Sequence, residues 1–270
     1  MTLISQVPGR LATARVKTRE NIATFSPEKL AQFRAAVAQF VQRSDTQGYE
    51  FYAGWHGVPL GLCEHHNDFF LPWHRGYLYY FELALQQFDA DVTLPWWDWM
   101  SDGGVPDAYD AQNANGDPNP LFDAPIAPMG VQPPPDMPDR TVRDVGGAGP
   151  AAVPPPLGKY NDWLMEPMSY TEFNRRMWVL HDNMHVWVGG SMSDPQWAAF
   201  DPLFWAHHTM VDRLWRIWQH NTSVTLPPNV IDAAMVYPQR FAALRGRDVL
   251  QVRQLGYEYA GISDTVPGTP

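Results

Sequence analysis

The sequence predicts a mainly α-helical fold: a four-helix bundle core with long Pro/Gly-rich loops and a few short strands. Three observations carry that prediction. Four segments repeat apolar residues at helical spacing. The 12 Trp, 11 Tyr and 13 Phe, within 45% hydrophobic residues, supply ample large side chains for a buried core. Residues 101–160 hold 13 of the 26 prolines and 8 of the 20 glycines, a stretch that cannot continue a helix. At 270 residues the chain suits a single domain, 1–270, with this stretch as one long excursion joining two helical hairpins.

The elements follow in order. The first twenty residues contain Pro8, Arg10, Arg15 and Arg19 and no long apolar run, so neither a signal peptide nor a membrane span is expected there. Ser26 and Pro27 suit the cap and first position of a helix, and Leu30, Phe33, Val37, Phe40 and Val41 carry it to about Gln42. A second helix is expected from near Trp73 to about Phe88, with Leu78, Phe81, Leu85 and Phe88 on one stripe. A third covers roughly Thr171 to Val188. The fourth opens at Asp201-Pro202 and reaches about His220.

A net charge of −10 opposes binding to phosphate backbones or anionic lipid, so neither nucleic acid nor membrane is expected as a partner. One cysteine among nine histidines excludes an intrachain disulfide and a thiolate cluster. Eight of those histidines cluster: His56, His65, His66 and His74, then His181 and His185, then His207 and His208. His181 and His185 lie about 40° apart around a helix, close enough for both imidazoles to reach one ion. His74 shares its face with Leu78, Phe81 and Leu85; His208 shares its face with Phe204, Val211 and Trp215. Both therefore point inward. Several inward imidazoles on separate helices point to metal, and all-imidazole shells suit copper or zinc, with two sets of three holding two ions. The zinc alternative has one support: His181-Asp-Asn-Met-His185 is similar to a zinc protease His-Glu-x-x-His pattern with Asp in place of Glu.

Two longer motifs decide between these metals. His65-x(4)-Phe70-Leu-Pro-Trp-His74-Arg75-x-x-Leu78-x(3)-Glu82 resembles the first-copper motif of the type-3 copper family, which comprises tyrosinases, catechol oxidases, o-aminophenol oxidases and molluscan oxygen carriers. Asp201-Pro202-x-Phe204-Trp205-x-x-His208-x(3)-Asp212 resembles the second-copper motif. Leu94-Pro-Trp-Trp-Asp-Trp99, Val188-Gly189-Gly190 and Tyr257-Glu-Tyr259 match as well, so the resemblance covers about residues 10 to 260. It implies two copper ions, with dioxygen as co-substrate. His56, His65 and His74 would hold the first ion, and His181, His185 and His208 the second. His66, His207 and His220 are left as non-ligands.

The resemblance also implies a thioether between Cys63 and His65, because relatives join a Cys at that spacing to the same histidine. Glu172 falls near where tyrosinases hold a water with a glutamate, and Asp182 stands where they often have Asn. Both are candidate catalytic residues, and Asp182 would assist phenol deprotonation. Val186 and Met192 are expected in the substrate pocket, with parts of the 101–160 loop above it. Phe70 and Phe204 are expected against ligand imidazoles, and Asp212 as an acceptor behind them. Asp98 is read as structural.

The implied activity is oxidation of phenols, o-diphenols or o-aminophenols to quinones or quinone imines, with ortho-hydroxylation of monophenols left open. The partner is a small aromatic substrate, and a copper-delivery helper protein remains open. The competing readings are a reversible oxygen carrier resembling hemocyanin and, more distantly, a zinc hydrolase. Only 11 residues follow Tyr259, so no C-terminal blocking domain is expected, which favours an enzyme; with no signal peptide expected, a cytoplasmic location is expected unless a partner exports the chain.

Overall fold

The computed structural model describes residues 15–101, 104–114, 116–130, 137–146 and 164–262. Seven helices carry the architecture among these residues: α1 (Pro27–Gln42), α2 (Tyr49–His56), α3 (Phe70–Leu85), α4 (Asp107–Asp110), α5 (Tyr170–Val188), α6 (Pro202–Asn221) and α7 (Pro228–Ile231). Strands are few and short. β1 (Lys17–Arg19) pairs in parallel with β4 (Tyr257–Tyr259), and β2 (Asn113–Ala114) pairs antiparallel with β3 (Asp117–Pro118). No described helix is long and apolar enough to cross a membrane.

All four expected helices are present, and their ends follow capping chemistry. The Ser26 hydroxyl accepts from the Lys29 N–H at the start of α1, Ser169 does the same for Glu172 on α5, and Asp201 accepts from Leu203 on α6. α3 begins at Phe70, three residues before the expected start. Pro72 sits in the first turn, where an N–H has no partner to lose.

The bundle around the centre differs from expectation in one member. α2, which no periodicity announced, takes the fourth place, and α1 backs it from outside. Phe40 of α1 meets Tyr49 and Tyr52 of α2 and Phe81 of α3 at ring-centre distances of 5.8, 5.8 and 5.0 Å. Phe81 in turn stacks on Trp205 of α6, tying α3 to α6.

Below the centre a buried ionic network joins both ends of the described chain. Asp212 of α6 accepts from the Arg75 and Arg19 guanidiniums and from the Tyr257 and Tyr259 hydroxyls. Burial alone would raise the Asp212 carboxyl, yet Arg75 and Arg19 hold it below 3.8. Arg19 also bonds Glu82 at 3.0 Å, and Glu82 accepts from the Leu94 N–H at 2.7 Å. Asp212 therefore serves this network and not a histidine, which corrects the expectation for it.

The described parts of 101–146 buttress the bundle from the side. Arg143 binds Asp201, the α6 cap, and donates to the carbonyls of Tyr109 and Leu121. Asp144 N–H donates to Val188 and Ser191 N–H donates to Val142. Gly189 and Gly190 adopt φ of 67° and 53°, and a Cβ at either would collide with the carbonyl of Asp144 or Val142.

Candidate metal centre

Four elements and a loop deliver the histidines. His56 ends α2, His65 lies on the loop before α3, His74 sits in the second turn of α3, His181 and His185 share a face of α5, and His208 comes from the middle of α6. Rings of His56, His65 and His74 have centres 4.9, 5.8 and 5.1 Å apart. Those of His181, His185 and His208 are 4.4, 4.7 and 5.5 Å apart. The two sets touch where His74 stacks on His208 at 4.6 Å. Phe70 packs on His74 and His181, and Phe204 on His56 and His208, as expected.

One nitrogen of four of these rings is anchored by a protein oxygen. The Nδ1–H groups face Phe70 O from His74 (2.8 Å), Pro195 O from His56 (3.1 Å), Met192 O from His185 (2.6 Å) and Asp182 Oδ1 from His181 (2.9 Å). Anchoring Nδ1 fixes the tautomer and leaves the Nε2 lone pair free. Those Nε2 atoms turn inward: the His56 and His74 Nε2 atoms are buried without a partner, and those of His181 and His185 lie 3.2 and 3.4 Å from His208 Nε2. Buried nitrogens without partners are costly. A metal ion relieves that cost, so the residues present fit copper in kind and in direction.

Burial holds the imidazoles neutral, as metal ligation requires. His65 and His185 fall from the ordinary 6.5 to about 4, by loss of water first. For His65 the neighbouring His185 imidazole adds to the fall. His56, His74, His181 and His208 lie well below 6.5, from burial and then from neighbouring imidazoles.

His207, a non-ligand by the copper motifs, lies within the same group. It is fully buried, both ring nitrogens lack partners, and it offers a nitrogen within 4.8 Å of those of His181, His185 and His208. Its ring centre is 4.7 Å from that of His185. The doubled His207-His208 was the signal available for it. Cys63 also arrives at the centre, its sulfur within 4.8 Å of His56 and His65 nitrogens. Burial pushes the Cys63 thiol up to about 11.

A cavity of about 350 Å³ opens from the centre to solvent. His56, His65, His181 and His185 line it, together with the apolar Val186, Met192, Pro195 and Ala198 and the polar His66, Asp182 and Ser193. Val186 and Met192 are thus in the expected place. No described residue of 101–146 lines this cavity, and residues 147–160 lie outside those described.

The two carboxylates fare differently. Asp182 reaches the cavity, but both its oxygens are engaged, Oδ1 with His181 Nδ1 and Oδ2 with His66 Nε2 at 2.8 Å. Glu172 does not reach the site. α5 runs unbroken from Tyr170, so nine residues at 1.5 Å each put Glu172 about 13 Å along the axis from His181. There it pairs with Arg175 and Arg176, whose hydrogen bonds lower its carboxyl to about 2.

Residues 37–221 match the family described as the common central domain of tyrosinase. The chain is 32% identical over 252 residues to Streptomyces antibioticus tyrosinase, covering 79% of this chain and 89% of that one. It is 30% identical over 229 residues to an A-type hemocyanin of Enteroctopus dofleini, covering 74% of this chain. It spans only 18% of that hemocyanin and 8% of a G-type hemocyanin from the same animal. Among solved structures, the deoxygenated hemocyanin of Rapana thomasiana superposes with a TM-score of 0.78 at 22% identity, over 92% of this chain and 70% of that one. An oxygen-bound Aspergillus oryzae pro-tyrosinase variant gives 0.76 at 21%, over 96% and 73%.

Proposed function

This chain belongs to the tyrosinase family of type-3 copper proteins, and from that premise we propose that it oxidises o-diphenols and o-aminophenols to quinones and quinone imines. Two copper ions are the cofactor, with dioxygen as co-substrate. His56, His65 and His74 would hold one ion; His181, His185 and His208 would hold the other. Copper, when bound, supplies the redox step by which two o-diphenols and one dioxygen become two o-quinones and two waters.

The cavity carries this reading. An oxygen carrier needs room for a diatomic ligand, whereas about 350 Å³ with apolar walls suits an aromatic ring. Val186 and Met192 face the ring and keep water from it. Anchored Nδ1 atoms keep the imidazoles in one tautomer while the substrate reacts.

The carboxylates favour diphenols over monophenols. A monophenol must lose its proton before ortho-hydroxylation, and a positioned base speeds that step. Asp182 is the sole carboxylate among the described residues lining the cavity, and each of its oxygens already accepts a hydrogen bond that competes with taking up a proton. An o-diphenol needs no hydroxylation. The same engagement counts against a zinc hydrolase, which would need Asp182 free as a base. Proximity of Cys63 to His65 supports a thioether between them, formed with loss of the thiol S–H and one imidazole C–H, whose two protons and two electrons dioxygen, the co-substrate, would accept. The intact mass of the loaded protein, about two daltons lower with the link, reads this directly. A small aromatic molecule is the partner, and a helper protein that delivers copper is compatible with so buried a centre. A cytoplasmic location remains part of the proposal, and cell fractionation tests it.

The test is oxygen uptake by the copper-loaded protein with catechol, o-aminophenol and tyrosine. Catechol and o-aminophenol should be consumed at least about 100-fold faster than tyrosine, the low end of what one missing general base costs. An oxygen-dependent absorption band without any turnover would instead identify a carrier.

A further inference from the structure

The loop that carries His65 lies along α5, and four α5 residues at successive helical turns hold it. Tyr170 donates its hydroxyl to Asp68 O at 2.8 Å, and Asn174 donates to Asn67 O at 2.8 Å. The Trp178 ring meets the His66 ring at 5.7 Å, and Asp182 takes His66 Nε2 at 2.8 Å. Positions 170, 174, 178 and 182 form one i,i+4 row, so the loop runs antiparallel to the helix. The last rung is unlike the others because Asp182 also holds His181 Nδ1.

His66 has the backbone to serve that rung. Its φ of 55° is the one positive value at a non-glycine residue among those described. The left-handed turn sends consecutive side chains apart, His65 into the centre and His66 outward to Asp182. The His66 side chain is 64% exposed, so packing does not explain its position.

We propose that His66 is a positioning residue. It donates through Nε2–H to Asp182, which holds His181, while its own backbone holds His65, so one clasp sets a ligand of each metal against the other. This rests on the metal reading above and deepens it. Outer partners of ligating histidines are worth 10- to 100-fold in metal affinity, and no described bond other than that to His66 engages Asp182 Oδ2.

The experiment titrates the metal-free protein with zinc, a redox-inert ion that imidazole binds, so no turnover is involved. Wild type should bind two ions per chain. His66→Ala should lose several-fold, up to about 10-fold, in affinity, less than the loss in Asp182→Ala, without a shift in the melting temperature of the metal-free protein. His66→Gln, which keeps an N–H donor, should recover most of the loss. Because His66 acts through Asp182, His66→Ala with Asp182→Ala should bind no more weakly than Asp182→Ala alone. Unchanged affinity in His66→Ala, or losses that add in the double variant, would overturn the clasp and leave the metal reading standing. A wild type that binds no ion would overturn both.

Discussion

Asp182 Oδ1 and Oδ2 are bonded to His181 and His66, and a carboxylate so committed orients a ligand before it moves a proton. Asp182→Asn should therefore lower catechol and monophenol turnover by the same factor, about 10-fold, through weaker hold on His181. Steady-state rates on both substrates read this, and a loss confined to monophenols would restore Asp182 as a base. His74, His181, His185 and His208 were legible in the sequence because spacing within a helix fixes phase, whereas His56 and His65 came only from the resemblance to the copper family. Tertiary contacts were not legible. The Asp182 bridge needs the His65 loop to lie on α5, which no local pattern encodes. Glu172 looked close by counting residues, yet a continuous helix turns nine residues into about 13 Å. His207 is a non-ligand by the spacing of the second-copper motif, and its phase about 100° from His208 agrees, yet in so crowded a core that rotation does not take a side chain out of reach.

At the scale of elements, amphipathic helices with caps were legible and the buried one was not. α1, α5 and α6 carry a cap residue and a polar face. α2 is eight residues, six of them buried, so its sequence shows no alternation from which to read a period. The turn after α5 depends equally on tertiary contact. Gly189 and Gly190 were visible as a motif, but their reason is the strand of loop at Val142–Asp144 pressed against them. Gly190→Ala would force a Cβ into Val142 O at positive φ, and should cost about 2 kcal/mol or more in urea unfolding. The same change should weaken metal binding, since this turn carries the Met192 carbonyl that holds His185. Stability within about 0.5 kcal/mol of wild type would show that the loop does not brace the turn.

The whole molecule places a set of neutral imidazoles in a largely buried centre, and that couples its stability to pH. His65 and His185, at about 4 when folded against 6.5 when unfolded, bind fewer protons in the native state between those values. Their contribution is complete above pH 6.5 and is lost as pH falls toward 4. The metal-free protein should thus melt several degrees lower at pH 4.5 than at pH 7 by calorimetry. A flat profile would mean that water reaches these rings. The Asp212 network, which ties β1 and β4 to α3 and α6, closes the fold beneath the same core. Its members were visible one by one in the sequence, but their union brings residues 19 and 259 together across the chain. The central claim is that the cavity above the histidines admits an aromatic ring to be oxidised. Val186, 48% exposed on its wall, allows the most direct measurement. Val186→Trp should retain two copper ions and the oxygen-dependent absorption band while catechol oxidation falls by about two orders of magnitude, as misplacing a substrate by an ångström does. Catechol turnover equal to wild type in that variant would contradict the account.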